Sequence, residues 1–192
     1  MKHDIIVAGV GGQGILSIAA VLDFAALKNN LYVKQAEVHG MSQRGGAVES
    51  HLRISDRPIY SDLIPRGNAD IIVSVELMEP LRYLPFLSPD GWIVTSTTIE
   101  KNIPNYPDVS EITASIQKLP HYKLIDSETL ARNAGSARAE NMVMLGAISN
   151  LIDIPITDLE DGIRFLFAKK DTKVVETNLA ALAAGKAAGA IS

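Results

Sequence analysis

A glycine-rich turn in residues 5–14, IIVAGVGGQG, is the part of the chain best suited to bind a ligand. An apolar run ends in the turn, and the apolar pattern then resumes with helical spacing. A strand that enters a helix through glycines leaves backbone N–H groups pointing outward at the helix N-terminus, where the helix dipole favours negative charge. The glycines fit G-x-G-x-x-G and are Gly9, Gly11, Gly12 and Gly14. The segment predicts an anion site or, as the simpler alternative, a turn that only lets strand and helix pack.

Glu37 would complete a dinucleotide site, because an acidic residue about 20 positions beyond such glycines accepts the ribose hydroxyls. Two features oppose that interpretation. The polar loop that follows Glu37 would compete for the same crevice, and no later group of residues offers an acid or base for hydride transfer. A freestanding nucleotide-binding protein with a Rossmann-like fold therefore stays an alternative prediction.

The second candidate is the loop HGMSQRGG, residues 39–46, which is too polar and too rich in glycine for the interior of a helix or strand. Arg44 lies between Gln43 and two glycines, so its guanidinium could present its planar fork to a carboxylate or phosphate. A salt bridge across the loop is the equally open alternative. Ser42 is not predicted to be a nucleophile, because no G-x-S-x-G turn surrounds it.

Metal and thiol chemistry are not predicted. His39 and His51 lack the spacing of paired metal ligands, so both are expected to be ordinary hydrogen-bonding residues. The chain has no cysteine, which excludes disulfides, cysteine-ligated iron–sulfur clusters and thiolate catalysis. Any redox centre must therefore come from a partner.

The elements around these segments predict a parallel sheet. A strand at about 3–9, a helix at about 13–28 and a strand at about 31–38 read as a βαβ unit with a right-handed crossover. After it, AVESHLRIS and IYSDLI are predicted to form an antiparallel hairpin around the turn 56–58. Further strands are expected in ADIIVSVE, GWIVTSTT and HYKLIDSE. The carboxyl ends of the strands should bring the glycine turn together with residues 37–39, 74–76 and 95–97.

Four further helices are predicted before the last helix of the chain. One is expected around MEPLRYLPFL, and one at SETLARNAG, with Asp126 or Ser127 as its cap and Gly135 at its end. ENMVMLGAISNLI comes next, and then ITDLEDGIRFLFA, which is predicted to begin with a cap at Thr157 or Asp158.

The last helix is rich in alanine, with Gly185 and Gly189 on a small-residue face that lets another backbone approach closely. No linker or shift in composition marks a domain boundary. Residues 1–192 therefore predict one α/β domain, a three-layer sandwich with a mostly parallel, Rossmann-like mixed sheet that includes an antiparallel hairpin.

The composition limits the partners. With 192 residues, 47% of them hydrophobic, the chain can bury one substantial core. The net charge of −4, without clusters of Lys or Arg, argues against nucleic acid and against an anionic membrane. No secretory signal and no uninterrupted apolar span is evident, so a cytoplasmic protein is expected.

Four segments together resemble one family: GVGGQG at 9–14, EVHGMSQRGG at 37–46, SVELMEPLR at 74–82 and ENMVMLGA at 140–147. Because these segments occur in the order and spacing of that family, the chain resembles the gamma-type subunit of 2-oxoacid:ferredoxin oxidoreductases, and most closely the indolepyruvate members. The resemblance implies one pyruvate/ketoisovalerate ferredoxin oxidoreductase gamma-type catalytic domain. The HGMSQ sequence favours aryl pyruvates, including indolepyruvate, as substrates.

The resemblance implies an enzyme of unequal subunits that uses coenzyme A as co-substrate. A large partner subunit would carry thiamine diphosphate, Mg²⁺ and the iron–sulfur clusters and would pass electrons to ferredoxin, and this chain alone would be inactive. The isolated chain could form a homodimer through the surface meant for that partner, for which the last helix and the VMLGAISNLI helix are the candidates.

The resemblance also selects site residues, although it assigns no catalytic residue to this chain. The expected ligand is an anionic group, either the phosphates of coenzyme A or a substrate carboxylate. The candidate cofactor-binding residues are those that match the three motifs of the family: Gly9, Gly11, Gly12, Gln13, Gly14, Ser42, Gln43, Arg44, Gly45, Gly46 and Asn141.

Overall fold

The computed structural model describes residues 1–39, 45–101 and 103–190, and of His39 only the backbone. Within these residues the strands are β1 (Lys2–Val10), β2 (Tyr32–His39), β3 (Ala47–Ser55), β4 (Ala69–Ser74), β5 (Leu87–Ser96) and β6 (Tyr122–Ile125). The α-helices are α1 (Ile15–Lys28), α2 (Val109–Gln117), α3 (Ser127–Asn133), α4 (Glu140–Ile148), α5 (Ile156–Leu166) and α6 (Thr172–Ala188). Two 3-10 helices span Glu79–Phe86 and Ala137–Ala139.

The sheet has the strand order β2-β3-β1-β4-β5-β6. β1, β4, β5 and β6 run parallel, whereas β3 runs antiparallel to both of its neighbours, β1 and β2. β1 and β2 therefore run parallel to each other with α1 between them in the chain, as the predicted βαβ unit requires, but β3 lies between the two strands in the sheet. The predicted hairpin has the wrong partner: β3 pairs with β2 and β1, and residues 58–63 form no strand.

Burial explains why β3, and not β2, takes the place beside β1. β3 buries side chains on both faces, with Leu52 and Ile54 on one side of the sheet and His51 on the other. β2 buries none of its side chains from Tyr32 to Val38, and its charged residues Lys34 and Glu37 are exposed, whereas the charged residues of β3, Glu49 and Arg53, are partly buried. The polar strand therefore occupies the edge of the sheet, where solvent reaches it.

Helices cover both faces of the sheet, which confirms the three-layer α/β sandwich. One core cluster lies against α1, α4 and α5 and includes Ile5 and Ile18. The other lies against the 3-10 helix Glu79–Phe86 and against α2, a helix that the sequence patterns above do not predict; it includes Ile6 and Ile116. None of the helices in the described ranges combines the length and apolar character that crossing a membrane requires.

Glycines let α4 and α6 cross at short range, as predicted for the last helix. A Cβ on Gly185 would lie 1.9 Å from the carbonyl oxygen of Val143, and a Cβ on Gly146 would lie 2.1 Å from that of Leu182. Residues 141–148 of α4 are all buried, between α6 and the sheet. The prediction that this helix offers a docking face is therefore wrong.

The start and end of α3 follow the prediction. The Asp126 carboxylate accepts a hydrogen bond from the Thr129 N–H at 3.1 Å, so it caps the helix. Gly135 follows the helix end with a φ of 121°, a left-handed conformation that favours glycine.

α5 departs from the prediction. It begins after Pro155 without a side-chain cap, so the predicted cap at Thr157 or Asp158 is wrong. Asp158 instead accepts a hydrogen bond from Lys28 Nζ at 2.6 Å, at the end of α1. The Asp158 carboxylate, which the sequence pattern predicted to cap α5, thus forms an ion pair with Lys28 of α1 instead.

Candidate functional site

The glycine turn joins the end of β1 to the start of α1. Gly12 and Gly14 have φ angles of 109° and 73°, conformations that residues with a Cβ rarely adopt. The Gln13 side chain closes the turn, because its Oε1 accepts a hydrogen bond from the Val10 N–H at 2.8 Å. Gly9 permits close packing, since a Cβ there would lie 2.8 Å from a side-chain atom of α1. Gly9 and Gln13 therefore shape the turn.

Three backbone N–H groups of the turn, those of Gly12, Gly14 and Ile15, have no acceptor among the described residues. They lie at the N-terminus of α1, a helix of 14 residues with no side-chain cap and no acidic residue in its first turn. The helix dipole adds partial positive charge at this end. The turn thus has the polarity and the free donors of an anion site.

The three predicted motifs meet at the turn. Asn141, at the start of α4, donates from Nδ2 to the carbonyl oxygen of Gly14 at 3.0 Å. The Gly11 N–H donates to the carbonyl oxygen of Gly46 at 2.8 Å, and the Gly45 N–H donates to that of Gly11 at 3.4 Å. Three predicted residues lie outside the described part of the chain, and their place in the site stays a prediction: Ser42, Gln43 and Arg44.

A cavity of about 380 Å³ opens beside the turn. A Cβ on Gly12 would meet no atom of the described residues within 4 Å. The residues that line the cavity come from the turn, from the ends of β4 and β5 and from the start of α4: Gly12, Gln13, Gly14, Val75, Thr98, Glu100, Ala137, Arg138, Glu140 and Asn141.

Sequence reasoning missed several of these residues. The rule that ligands bind at strand ends indicates the neighbourhood of Val75 and, through residues 95–97, that of Thr98, but Glu100 and Arg138 stand in segments with no motif of their own. Glu140 is part of the ENMVMLGA segment, and that is the one signal that could have found it. These side chains reach the turn only because the sheet brings the segments together.

Polar side chains fix one wall of the cavity. Glu140 Oε2 accepts hydrogen bonds from the Thr98 hydroxyl at 2.7 Å and from the Ser127 hydroxyl at 2.9 Å. The hydroxyl oxygens of Ser127 and Ser96 are 2.6 Å apart. Arg138 forms no salt bridge with any described residue, so its guanidinium is a cation available to a ligand of the cavity.

Glu76 positions the same wall. Its carboxylate is fully buried beyond the end of β4. It accepts hydrogen bonds from the N–H groups of Met78 (2.7 Å), Glu79 (2.9 Å) and Glu100 (3.2 Å), and from the Tyr106 hydroxyl. Burial and, next, the hydrogen bond to Glu76 raise the pKa of Tyr106, so its hydroxyl remains protonated and donates. Glu76 therefore connects the segment of Glu100 to the start of the 3-10 helix.

Glu37 lies away from the turn, because β3 stands between β1 and β2. It is opposite Ser50 of β3, and Gln35 Nε2 donates to Glu37 Oε1 at 2.8 Å and to the Ser50 hydroxyl at 3.1 Å. Burial and, next, the charge of Glu37 raise the pKa of Asp23 in α1 to about 6. Glu37 thus belongs to a polar cluster between α1 and the edge of the sheet, and the dinucleotide interpretation loses its acidic residue.

The histidines offer no metal site in the described residues. His51 is buried, and its Nδ1 accepts a hydrogen bond from the Ile64 N–H at 3.1 Å, which confirms a structural role. The side chain of His39 lies outside the described part of the chain. Within that part, no group of three His, Cys, Asp or Glu side chains could hold a metal ion.

Comparison with known sequences gives matches over nearly the whole chain. The family model described as pyruvate ferredoxin/flavodoxin oxidoreductase matches residues 4–188. Indolepyruvate oxidoreductase subunit IorB from Archaeoglobus fulgidus is 36% identical over 194 residues, which cover 96% of this chain and 94% of that relative. The four motifs of the sequence analysis all lie inside the matched range.

Two solved structures share the fold. Pyruvate oxidoreductase subunit PORC from Thermotoga maritima has a TM-score of 0.76 at 23% identity, and the match covers 97% of this chain and 96% of that one. 2-Oxoglutarate:ferredoxin oxidoreductase from Magnetococcus marinus, solved with 2-oxoglutarate, coenzyme A and succinyl-CoA bound, has a TM-score of 0.79 at 25% identity. That match covers 98% of this chain and 31% of the longer polypeptide.

Proposed function

Because this chain belongs to the pyruvate ferredoxin/flavodoxin oxidoreductase family, as a gamma-type small subunit, we propose that its complex oxidises indolepyruvate or another aryl pyruvate. The oxoacid loses carbon dioxide, its acyl group is transferred to the thiol of coenzyme A, and the two electrons released reduce ferredoxin. The 36% identity to a subunit named for indolepyruvate, over 96% of this chain, supports the substrate class.

In this proposal the glycine turn binds an anionic group, either a phosphate of coenzyme A or the carboxylate of the oxoacid. The observation that carries the proposal is the set of N–H groups at the start of α1 that have no acceptor among the described residues. Arg138 adds a side-chain cation to the same cavity, and Asn141 fixes the orientation of the Gly14 peptide through the hydrogen bond to its carbonyl oxygen.

The cofactors are proposed to lie on the large subunit. This chain has no cysteine, so it offers no thiolate ligands to an iron–sulfur cluster. Thiamine diphosphate with Mg²⁺, when bound to the large subunit, supplies the chemistry of decarboxylation. The contribution of this chain is to bind and orient an anionic group and to exclude water from the site.

A freestanding nucleotide-binding protein is the alternative. It would need an acidic residue on the strand next to β1, where the ribose of a dinucleotide lies. β3 occupies that position but runs antiparallel to β1, so its carboxyl end lies at the edge of the sheet opposite to the glycine turn, and Glu37 is on the strand beyond it. The cavity beside the turn does contain Glu100 and Glu140, so direct measurement of nucleotide binding remains a useful comparison.

The test is to produce this chain with the large subunit and to measure indolepyruvate-dependent reduction of ferredoxin or a viologen in the presence of coenzyme A. Each chain is omitted in turn. We expect activity only when both chains are present. Failure of the two chains to associate, together with tight nucleotide binding by this chain alone, would overturn the proposal in favour of the alternative.

The role of the turn is tested by Gly12→Ala in the two-subunit enzyme. Gly12 lines the cavity, and the added methyl group meets no described atom within 4 Å, so the KM for the anionic ligand should rise about tenfold, a loss of about 1.4 kcal/mol of binding. Gly67→Ala is the matched control, because Gly67 also has a positive φ and open space around it but lies before β4, at the other end of that strand. Equal kinetics for the two variants would argue against a ligand at the turn.

A further inference from the structure

Helix α1 carries an apolar stripe on the side that faces solvent. Leu16, Ala20, Phe24 and Leu27 follow each other at intervals of three or four residues, so they share one face of the helix. Leu16 is 40% exposed and Leu27 is 62% exposed. A surface helix ordinarily carries polar or charged side chains on its outer face, so these positions depart from the expected pattern.

Helix α5 widens this surface. Phe165 is 69% exposed, and its ring stacks on that of Phe24 with 4.8 Å between the ring centroids. Gly162 lets the two helices approach, since a Cβ there would lie 3.0 Å from the Val21 side chain. We define the α1–α5 stripe as the apolar residues that this approach brings together on the surface: Leu16, Ala20, Phe24, Leu27, Phe165 and Leu166.

Charged residues border the stripe, but they are paired with each other. Lys28 Nζ lies 2.6 Å from Asp158 Oδ1 and 2.7 Å from Asp161 Oδ2. Arg164 lies 3.2 Å from a carboxylate oxygen of Glu160 and 3.0 Å from one of Asp161. A partner that covers the stripe would therefore not have to bury an unpaired charge of these residues, which would otherwise cost several kcal/mol.

The stripe has the character of the apolar centre of a specific interface. Its most exposed members, Leu16, Leu27, Phe165 and Leu166, each expose more than a third of their surface. Contiguous apolar patches on a monomer often mark a site where another protein docks. A specific interface of standard size buries about 800 Å² on each partner, and its fully buried centre is apolar and enriched in aromatic residues such as Phe.

We infer that the α1–α5 stripe is the surface on which the large, thiamine diphosphate-binding subunit docks, and that the docking side of that subunit is apolar. The stripe begins at Leu16, the second residue of α1, so it runs directly into the glycine turn and its cavity. A subunit that covers the stripe is brought to the turn by the same contact. The inference rests on the proposed function, because that function supplies the partner.

A second copy of this chain fits the observations less well. If two copies were joined through the stripe by a twofold axis, each copy would lie beside the glycine turn of the other. That arrangement would cover the turn with a second copy of this chain, whereas the proposed function needs the subunit with thiamine diphosphate and the iron–sulfur clusters at that place. The large subunit is therefore the occupant to test first.

The experiment measures the Kd between this full-length chain and the large subunit by calorimetry, for Leu27→Gln and for Phe165→Gln. Glutamine keeps helix propensity, and both side chains are largely exposed, so the fold should persist. Each substitution should weaken binding at least tenfold, as expected for an apolar anchor of an interface. Tyr60→Gln is the matched control. Tyr60 is 95% exposed, but it lies in the segment that leads to Ile64, a residue of the core on the other face of the sheet. The Kd of this variant for the large subunit should stay within twofold of wild type.

The outcomes separate this inference from the proposed function. If the wild-type chains associate and both stripe variants bind within twofold of wild type, the docking surface lies elsewhere and the proposed function stands. If the wild-type chains do not associate at all, the proposed function fails and the inference fails with it. If light scattering shows a dimer of the isolated chain that Leu27→Gln dissociates, while binding to the large subunit is unchanged, the stripe belongs to a second copy and the inference is overturned.

Discussion

Gly14 is the residue at which the glycine turn and α4 meet. Its φ of 73° suits glycine, and its carbonyl oxygen accepts the hydrogen bond from Asn141 Nδ2. A Cβ at this position would lie 2.6 Å from the same nitrogen. Two independent requirements, backbone conformation and contact with Asn141, therefore select glycine here.

Gly14→Ala should lower the free energy of unfolding by about 2–3 kcal/mol, because the left-handed conformation costs about 1–2 kcal/mol and the displaced Asn141 loses a hydrogen bond worth about 1 kcal/mol. Gly67→Ala is the control, since its φ of 75° is nearly the same but a Cβ there meets no atom within 4 Å. It should show the conformational cost alone. Urea unfolding followed by circular dichroism measures both, and equal losses would contradict a role for the Asn141 contact.

Asp23 is a carboxyl group whose ionisation opposes folding. Its Oδ1 is buried without a hydrogen-bond partner among the described residues, and its pKa is raised from 3.8 to about 6. Between about pH 4 and pH 6 the folded protein binds more protons here than the unfolded chain does, so stability falls as the pH rises through this range. Above pH 6 the full cost of the buried charge is present.

Asp23→Asn should therefore stabilise the protein at pH 7.5, by about 1 kcal/mol once the partial exposure of the side chain is taken into account, and the gain should vanish below pH 4. The measurement is the free energy of unfolding of the variant and the wild type between pH 4 and pH 8. Asp90→Asn, at an exposed position on β5, is the control and should show no such pH-dependent gain. A variant that is less stable than wild type at pH 7.5 would contradict the assignment.

The side chain of Glu76 anchors the segment between β5 and α2 through hydrogen bonds. Glu76 accepts hydrogen bonds from the Glu100 N–H and the Tyr106 hydroxyl in that segment, while the Met78 and Glu79 N–H groups bind its other oxygen. Thr98 and Glu100 of the segment line the cavity. The position of the cavity wall therefore depends on a carboxylate that does not itself line the cavity.

Tyr106→Phe removes one of these hydrogen bonds and leaves the three N–H donors of Glu76 in place. Stability should fall by about 1 kcal/mol, or about 2–4 °C in Tm. In the two-subunit enzyme, we expect the KM for the ligand of the cavity, either coenzyme A or the oxoacid, to rise several-fold with kcat nearly unchanged, because the wall loosens while the reacting groups stay. Tyr60→Phe removes a hydroxyl from an exposed side chain and is the control. A fall in kcat without a change in KM would contradict a positioning role.

At the level of the whole molecule, protection from solvent is uneven. α4 is buried along residues 141–148, between α6 and the sheet. β2 forms one edge of the sheet, and its Tyr32 and Val38 are 50% and 49% exposed. The free energy needed to open a region locally follows its burial and its backbone pairing, so these two elements should mark the extremes.

Hydrogen–deuterium exchange of the isolated chain, followed by mass spectrometry, should therefore show the slowest exchange in peptides from α4 and the fastest exchange among the strands in β2. β1, which has a neighbour on both sides, is the internal reference. If α4 exchanges as fast as β2, the burial of α4 in the isolated chain is contradicted.

The sequence was sufficient for features that depend on neighbouring residues or on faces repeated along one element. The turn at Gly12 and Gly14, the cap at Asp126 and the close face at Gly185 were all predicted, because glycine conformation and side-chain capping act over a few residues. The α/β sandwich followed from the alternation of strands and helices, and the family from motifs in fixed order.

The order of the strands and the walls of the cavity depended on the folded molecule. β3 and β2 are both plausible neighbours of β1, and their competition is decided by which strand can bury both faces, a non-local property. Glu100 comes to the turn through the hydrogen bond of its N–H group to Glu76, and Arg138 through the tertiary packing of the segment before α4, which no spacing along the chain encodes. The exposed face of α1 was likewise not predicted, because apolar residues at helical spacing indicate a helix but do not tell which of its sides the rest of the protein will cover.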